Sequence, residues 1–374
     1  MLVFRTTKCI SNSSFRGFQN KRLNSHAVIF SGIQPTGVPH LGNYLGAIKN
    51  WVDLQYTSSP KDVLIYSIVG WHALTLPQDP AQLRNAKLET AASLLALGID
   101  PKRSILFHQD EVSEHLSLSW ILTCMTPMGK LKRMTTWKSK LVTVRNANVE
   151  SEVDDSMLNL GLFSYPVLQA ADILAYQTTH VPVGEDQLQH LELCRDLAEL
   201  FNKRHQKNQQ KPFFTLPQAI LTPCPRILSF RDPTQKMSKS SPNASSRITL
   251  VDSPEVIRKI IRSAVTDSTS GITYDPLNRP GISNLLTILG SFRSLRSSEE
   301  LSSLASEYTG KGTANLKEDV ADAIVEGWRR PRSEFERLRE DKDYLVTVLE
   351  EGRQRAESIS RKTLNQVKSL IGLQ

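Results

Sequence analysis

Short apolar runs alternate with longer amphipathic ones through the first half of the chain. Val28-Ile29-Phe30 reads as a short buried strand. A loop containing Gly32 and Gly37 follows, and then an amphipathic run from about Asn43 to Leu54 that predicts a helix. The pattern recurs. Val63 to Val69 is strand-like, and Pro80 to Leu97 is helical, with Leu83, Ala86, Leu94 and Leu97 near one face and Gly98 closing it. Ser104 to Phe107 is the next strand. Strands separated by helices pair in parallel, so the expected fold is α/β with a doubly wound parallel, Rossmann-like sheet whose ligands sit at the carboxyl ends of its strands. Residues 113 to 200 are mostly helical, interrupted by a polar stretch from Val144 to Ser156 that reads as a surface loop. His180 to Gln187 ends another strand and starts a helix. Pro217 to Arg231 returns in extended form, Ser238 to Ser246 is loop-like, and helical periodicity dominates from about Pro254 to the end. The expected division is a leader at 1–26, a catalytic domain with a helical insertion at 27–245, and an all-helical domain at 246–374.

Charge changes this picture at the N-terminus. The first 52 residues contain no Asp or Glu, and Arg5, Lys8, Arg16, Lys21 and Arg22 stand among Ser, Thr, Asn and Phe. That is the composition of a mitochondrial transit peptide, with cleavage expected near residues 20 to 26 and the matrix as destination. A basic tail touching nucleic acid is the competing reading. Without those five cations the formal charge falls from +8 to about +3. A body so near neutrality is no general polyanion binder, so DNA is not an expected partner and any RNA surface must be local. No apolar run approaches the roughly 20 residues that span a bilayer, so no membrane role is expected. Cys9, Cys124, Cys194 and Cys224 lack paired spacing, which argues against a zinc site or a disulfide framework.

Candidate chemistry lies in a few short stretches. Phe30 to Gly37 ends a strand in a loop whose glycines permit close approach of backbone to a ligand. In Pro39-His40-Leu41-Gly42-Asn43, His40 and Asn43 are three apart where a helix begins. Both side chains can therefore face one polyphosphate, while Gly42 leaves room for a flat base. An ordinary helix cap is the competing reading. Lys236-Met237-Ser238-Lys239-Ser240 brackets a loop between Pro233 and Pro242, a layout suited to cations that stabilise charge on a departing pyrophosphate. Asp172 is the one carboxylate in the apolar run Tyr165 to Leu174 and needs a partner. That partner is a ligand donor or a buried basic or backbone group.

The two motifs resemble the HIGH and KMSKS signatures of class I aminoacyl-tRNA synthetases. Their surroundings resemble the tryptophanyl-tRNA synthetases over roughly residues 28 to 370, including Gly-Ile-Ser-Asn at 281–284. The resemblance implies tryptophan, ATP with Mg²⁺, and tRNA(Trp) as ligands, and a homodimer. It implies catalytic roles for His40, Asn43, Lys236 and Lys239, and further ATP contacts from Gln34, Pro35, Thr36, Gly42, Met237, Ser238 and Ser240. Gly184, Glu185 and Asp186 would hold ribose and adenine, and the backbone of Ile227 would lie along the base. In the amino-acid pocket Asp172 would accept the indole N–H, with Phe30 and Gln187 beside the substrate. Lys138 and Lys140 stand where relatives carry a lysine near the phosphates. Three departures stand out. Gly70-Trp71-His72 replaces an Asp-x-His common in bacterial relatives, which removes a polar contact and argues against a role for His72. Gln169 replaces a Met, and Ser241 an Asp. Trp328 with Arg329, Arg330 and Arg332 is the candidate base-stacking cluster for an anticodon. Three rivals remain open: a tyrosine-specific enzyme, a non-catalytic RNA-binding or splicing protein derived from a synthetase, and a small-molecule nucleotidyltransferase.

Overall fold

The structure, a computed structural model, describes residues 26–134, 158–184, 187–206, 211–221, 226–239 and 241–374. Residues 1–25 of the expected leader at 1–26, the polar stretch at 144–156, Lys138, Lys140, Glu185, Asp186 and Ser240 lie outside the described residues.

Five parallel strands form one sheet: β1 (Val28–Ile33), β2 (Val63–Ile68), β3 (Ser104–His108), β4 (His180–Val183) and β5 (Gln218–Leu221). Their spatial order is β3-β2-β1-β4-β5. Strands β1, β2 and β3 are rich in Ile, Leu, Val and Phe and largely buried, as a parallel sheet covered by helices requires. Register is in step, with Val28 opposite Val63 through to Ile33 opposite Ile68, and Leu64 opposite Ser104 through to Ile68 opposite His108. From β1 the chain winds outward to β2 and β3, then returns to place β4 on the other side of β1. That reversal opens a crevice at the carboxyl ends of β1 and β4, the place where open α/β sheets bind ligands.

Helix α1 follows β1 as a continuous run: Leu41–Asn43, a π-helical segment Tyr44–Ile48, and Lys49–Thr57. Helix α2 (Pro80–Ala96) has Pro80 in its first turn and Asp79 accepting from the Gln82 N–H at its N-cap. It stops at Gly98, whose φ of 110° only glycine adopts readily. Helices α3 (Glu114–Thr123), α4 (Leu160–Leu174) and α5 (Leu188–His205) cover one sheet face. The C-terminal part supplies α6 (Pro254–Arg262), α7 (Pro280–Phe292), α8 (Ser298–Ser306), α9 (Thr313–Glu340) and α10 (Lys342–Ile371).

An apolar core runs across the expected boundary at residue 246. One apolar cluster joins α1 and α2 to α6–α9 through Leu45, Ile48, Ile257, Leu285, Val320 and Trp328. Helix α10 joins both faces, with Leu345 and Leu349 in that cluster and Ala356, Leu364 and Val367 in the one beneath α3–α5. It also covers the outer edge of β3, where Arg355 donates to the carbonyls of Pro101 (2.9 Å) and Ser104 (3.3 Å). An edge strand is thereby kept from pairing with another chain.

Trp328 corrects a sequence expectation. It is fully buried and packs edge-on against Tyr44 at 5.7 Å between ring centroids. It cannot stack on an RNA base, because its ring is part of the core that joins α9 to α1.

At Gly352 a Cβ would lie 1.8 Å from the carbonyl oxygen of Leu106, a backbone atom of β3 that cannot swing aside. Gly352→Ala should therefore separate α10 from the sheet edge and lower stability by about 1–3 kcal/mol, read as a fall in the urea midpoint. An unchanged midpoint would show that this contact does not support the edge.

Candidate active site

Helix α1 begins with a reciprocal cap. His40 Nδ1 accepts from the Asn43 backbone N–H and Asn43 Oδ1 accepts from the His40 N–H, both at 3.2 Å. The capping reading and the ligand reading of these residues are therefore compatible. Because Nδ1 is an acceptor, the neutral ring carries its proton on Nε2. Burial, aided by Lys239, Arg247 and Lys236, holds the His40 pKa down to about 4. At neutral pH His40 is thus an uncharged N–H donor at a helix N-terminus, where backbone N–H groups already favour an anion. The space at Gly42 is narrow: a Cβ there would sit 3.0 Å from the His40 ring and 3.5 Å from Met237 Cβ. Glycine lets His40 fold back over the helix start and lets the second motif approach.

Backbone ties the first motif to the segment that follows the second. His40 forms an antiparallel bridge with Thr249. The Leu41 N–H donates to Ile248 O at 2.8 Å and the Leu250 N–H to Pro39 O at 3.3 Å. The lysine loop is pinned at its base by the Leu228–Lys236 bridge and by the Met237 N–H donating to Ile227 O at 3.0 Å. Ile227 and Met237 are both buried. Asn284 clamps the same segment, accepting from the Leu228 N–H (2.9 Å) and donating to the Leu228 carbonyl (3.2 Å). That gives the Gly-Ile-Ser-Asn stretch a mechanical task. Lys239 Nζ donates to the Thr36 carbonyl at 2.6 Å and Oγ1 at 3.1 Å, so one cation already lies on the glycine loop. Burial, with Arg247 adding to it and Glu89 opposing, lowers the Lys239 pKa to about 8. Lys236 is exposed.

A cavity of about 600 Å³ opens at the β1/β4 reversal. Phe30 and Gln34 line it from β1 and the loop after it, Gly184 and Gln187 from beyond β4, and Tyr165, Asp172 and Ile173 from α4. Apolar walls with a few polar groups suit a flat, largely apolar ligand. Phe30 is stacked on Tyr176 at 5.5 Å, which fixes that wall. Gln187 Oε1 accepts from His190 Nδ1 at 2.8 Å, and His190 Nε2 lies 3.1 Å from the Tyr165 hydroxyl.

Asp172 is 1% exposed, and both of its oxygens are engaged. His72 Nε2 donates to Oδ2 and His115 Nδ1 to Oδ1, each at 2.7 Å. Gln109 Nε2 reaches both oxygens, at 2.7 and 2.8 Å. Burial alone would push the carboxyl up. The charge of His72 and the hydrogen bonds from His115 and His72 outweigh it and hold the group well below the usual carboxylate range. Asp172 is therefore an anion at neutral pH, an acceptor-only group bordering an apolar cavity. The shell extends outward, because His115 Nε2 lies 2.8 Å from the Tyr176 hydroxyl. Burial, with Asp172 and Glu114 nearby, pushes the Tyr176 phenol well up.

His72 corrects the expectation set by the Gly70-Trp71 departure. It touches Asp172 directly, because the helical turn Gly70–Ala73 after β2 aims it inward. Gln109, His115, Tyr165 and His190 were not singled out from the sequence. For Gln109 a signal existed, since it directly follows β3 and so sits at a strand's carboxyl end. Buried histidines inside helices carry no such mark.

The structure brings His40, Asn43, Gly42, Met237 and Lys239 together at the start of α1, and Phe30, Asp172 and Gln187 around the cavity. Comparisons with known proteins give the family. The family model for class I tRNA synthetases (W and Y) matches residues 21–328. The chain is 42% identical over 373 residues to the mitochondrial tryptophan–tRNA ligase of Saccharomyces cerevisiae, covering 98% of this chain and 96% of that one. The solved tryptophanyl-tRNA synthetase of Mycoplasma pneumoniae matches with a TM-score of 0.79 at 33% identity, covering 94% of this chain and 99% of that one. The Campylobacter jejuni tryptophanyl-tRNA synthetase, complexed with ADP and tryptophan, matches at 0.72 and 32% identity over 92% and 99%. Sheet order, the two paired motifs and these matches converge on one conclusion: the chain belongs to the class I tRNA synthetases of the tryptophan and tyrosine type.

Proposed function

We propose that this chain is a tryptophan–tRNA ligase of mitochondrial translation. It activates L-tryptophan with ATP to tryptophanyl-adenylate and pyrophosphate, then transfers tryptophan to the 3′ end of tRNA(Trp). The observation that carries this reading is Asp172, an ionised acceptor bordering an apolar cavity that opens beside the His40 and Lys239 motifs. Indole N–H is a donor only, so an acceptor is the group its recognition needs. Close relatives named as mitochondrial tryptophan–tRNA ligases support the organelle, and the leader composition supports the matrix.

In this reading the tryptophan carboxylate attacks the α-phosphate of ATP, which enters as its Mg²⁺ chelate, and pyrophosphate leaves. Lys236, Lys239, the His40 Nε2–H and the Asn43 amide stabilise charge on the departing oxygens. Gln34, Pro35 and Thr36 border the triphosphate. Gly184, Glu185 and Asp186 hold ribose and adenine, with Ile227, Gly42, Met237, Ser238 and Ser240 around the base and phosphates. Gln187 faces the substrate carboxylate and Phe30 the indole. Neither step needs a side-chain base, because positioning and charge stabilisation drive both. The helical part from 246 to 374 reads the tRNA. A homodimer is supported by exposed apolar side chains on the α3 side, where Leu116 and Trp120 stand one turn apart at 40% and 70% exposure.

Mature protein should catalyse ATP–pyrophosphate exchange with tryptophan and not with tyrosine or phenylalanine. Asp172→Asn should raise the tryptophan KM by about 100-fold and the ATP KM by no more than about 2-fold. Equal effects on both would overturn the indole assignment. Lys239 gives a pH signature. ATP favours the charged amine, so above its pKa of about 8 binding must take up a proton. The ATP KM should be flat below that pKa and rise several-fold within about one pH unit above it, whereas Lys239→Arg should stay flat because guanidinium keeps its proton. Trp120→Glu should convert dimer to monomer in analytical ultracentrifugation. An unchanged dimer would move the interface elsewhere.

A further inference from the structure

Gly70 is buried at the start of the turn that carries His72, and its φ is not in the left-handed region. Glycine is therefore not needed there for backbone conformation. It is needed for space. A Cβ at this position would lie 2.1 Å from Asp110 Oδ1 and 2.7 Å from its Cγ. The carboxyl group of an aspartate at 70 would begin one bond farther out, inside the volume the Asp110 carboxylate now fills. Asp110 belongs to the 3₁₀ turn Gln109–Glu111 after β3. Its Oδ2 pairs with Lys87 of α2, while its Oδ1 is buried with no hydrogen-bond partner among the described residues. The two turns are also tied by the Trp71 N–H donating to Gln109 Oε1 at 3.1 Å. Each turn delivers one group to Asp172: His72 from the first and Gln109 from the second.

We infer that Asp110 is a positioning residue for the amino-acid pocket and that Gly70 is its seat. One carboxylate between the β2 and β3 turns sets the spacing of His72 and Gln109 around Asp172, and its place in space matters more than the turn that bears it. Lys87, within reach of that volume, is its counter-ion. Asp110 is not among the residues that line the cavity, so its effect on substrate passes through His72 and Gln109. The inference rests on the tryptophan-activating reading above.

The test is an exchange of side chains between the turns: Asp110→Gly, Gly70→Asp, and both together. Asp110→Gly leaves the seat empty and Lys87 unpaired, and Gly70→Asp forces two carboxylates into one seat. Each single change should raise the tryptophan KM in pyrophosphate exchange by about tenfold with the ATP KM within about twofold. The double variant should return the tryptophan KM to within about threefold of the parent, a non-additivity expected only of groups sharing one site. A double variant as poor as the product of the singles would overturn the inference. So would an ATP KM that rises as much as the tryptophan KM, since that marks general damage. If Gly70→Asp does not fold, Asp110→Gly against the double variant still decides, because rescue is read between those two. The urea midpoint must show the same rescue and needs no substrate. A parent that fails to exchange with tryptophan therefore overturns the functional reading, while the midpoints decide the Gly70–Asp110 seat.

Discussion

An ionised carboxylate at 1% exposure is tolerated only while donors surround it, and Asp172 draws those donors from separate parts of the chain. His72 comes from the turn after β2, Gln109 from the turn after β3, and His115 from α3. Each contact constrains an element whose own packing has nothing to do with the ligand. The strand ends must be level, α4 must run under the crevice, and α3 must point its histidine inward. The in-step register of β1, β2 and β3 is what makes the strand ends level. Removing the carboxylate would thus leave three donors unsatisfied besides changing the ligand pocket.

Around His40 and Lys239 the protein divides its electrostatics differently. His40 is kept neutral by burial and by the lysines and arginine around it, so it donates a hydrogen bond without adding to a repulsive cluster of cations. Charge is left to the lysine loop. Lys239 rests on Thr36, and its lowered pKa reflects the same desolvation that would make it effective against phosphate. The backbone bridge between His40 and Thr249 holds the two halves in register, and Asn284 of α7 holds the loop base to the C-terminal helices. The helical part therefore touches the active site mechanically through this clamp, and through α10 on the β3 edge.

Much of this was legible in the chain. The alternation of Val28–Phe30, Val63–Val69 and Ser104–Phe107 with helical runs predicted the parallel sheet, because both-face burial leaves continuous apolar runs. Gly98 marked a helix end by local backbone chemistry. His40 and Lys239 stood out through the two short motifs, and Asp172 as the one carboxylate in an apolar run. His72, Gln109 and His115 did not stand out, since a polar residue is recognised as a partner only once the group it pairs with is placed. Trp328 was misread for the related reason that an aromatic beside arginines looks the same in sequence whether it faces RNA or packs on Tyr44.

The amino-acid sequence by itself determined the local elements and the presence of one carboxylate that needed a partner, because these follow from periodicity, capping and the cost of burying charge. Tertiary structure alone decided which partners that carboxylate took, that position 70 is vacant because Asp110 fills its space, and that the C-terminal helices share the sheet's core. Those outcomes depend on distances between residues far apart in the chain. Such distances are set by strand order and packing, which no local window of sequence contains.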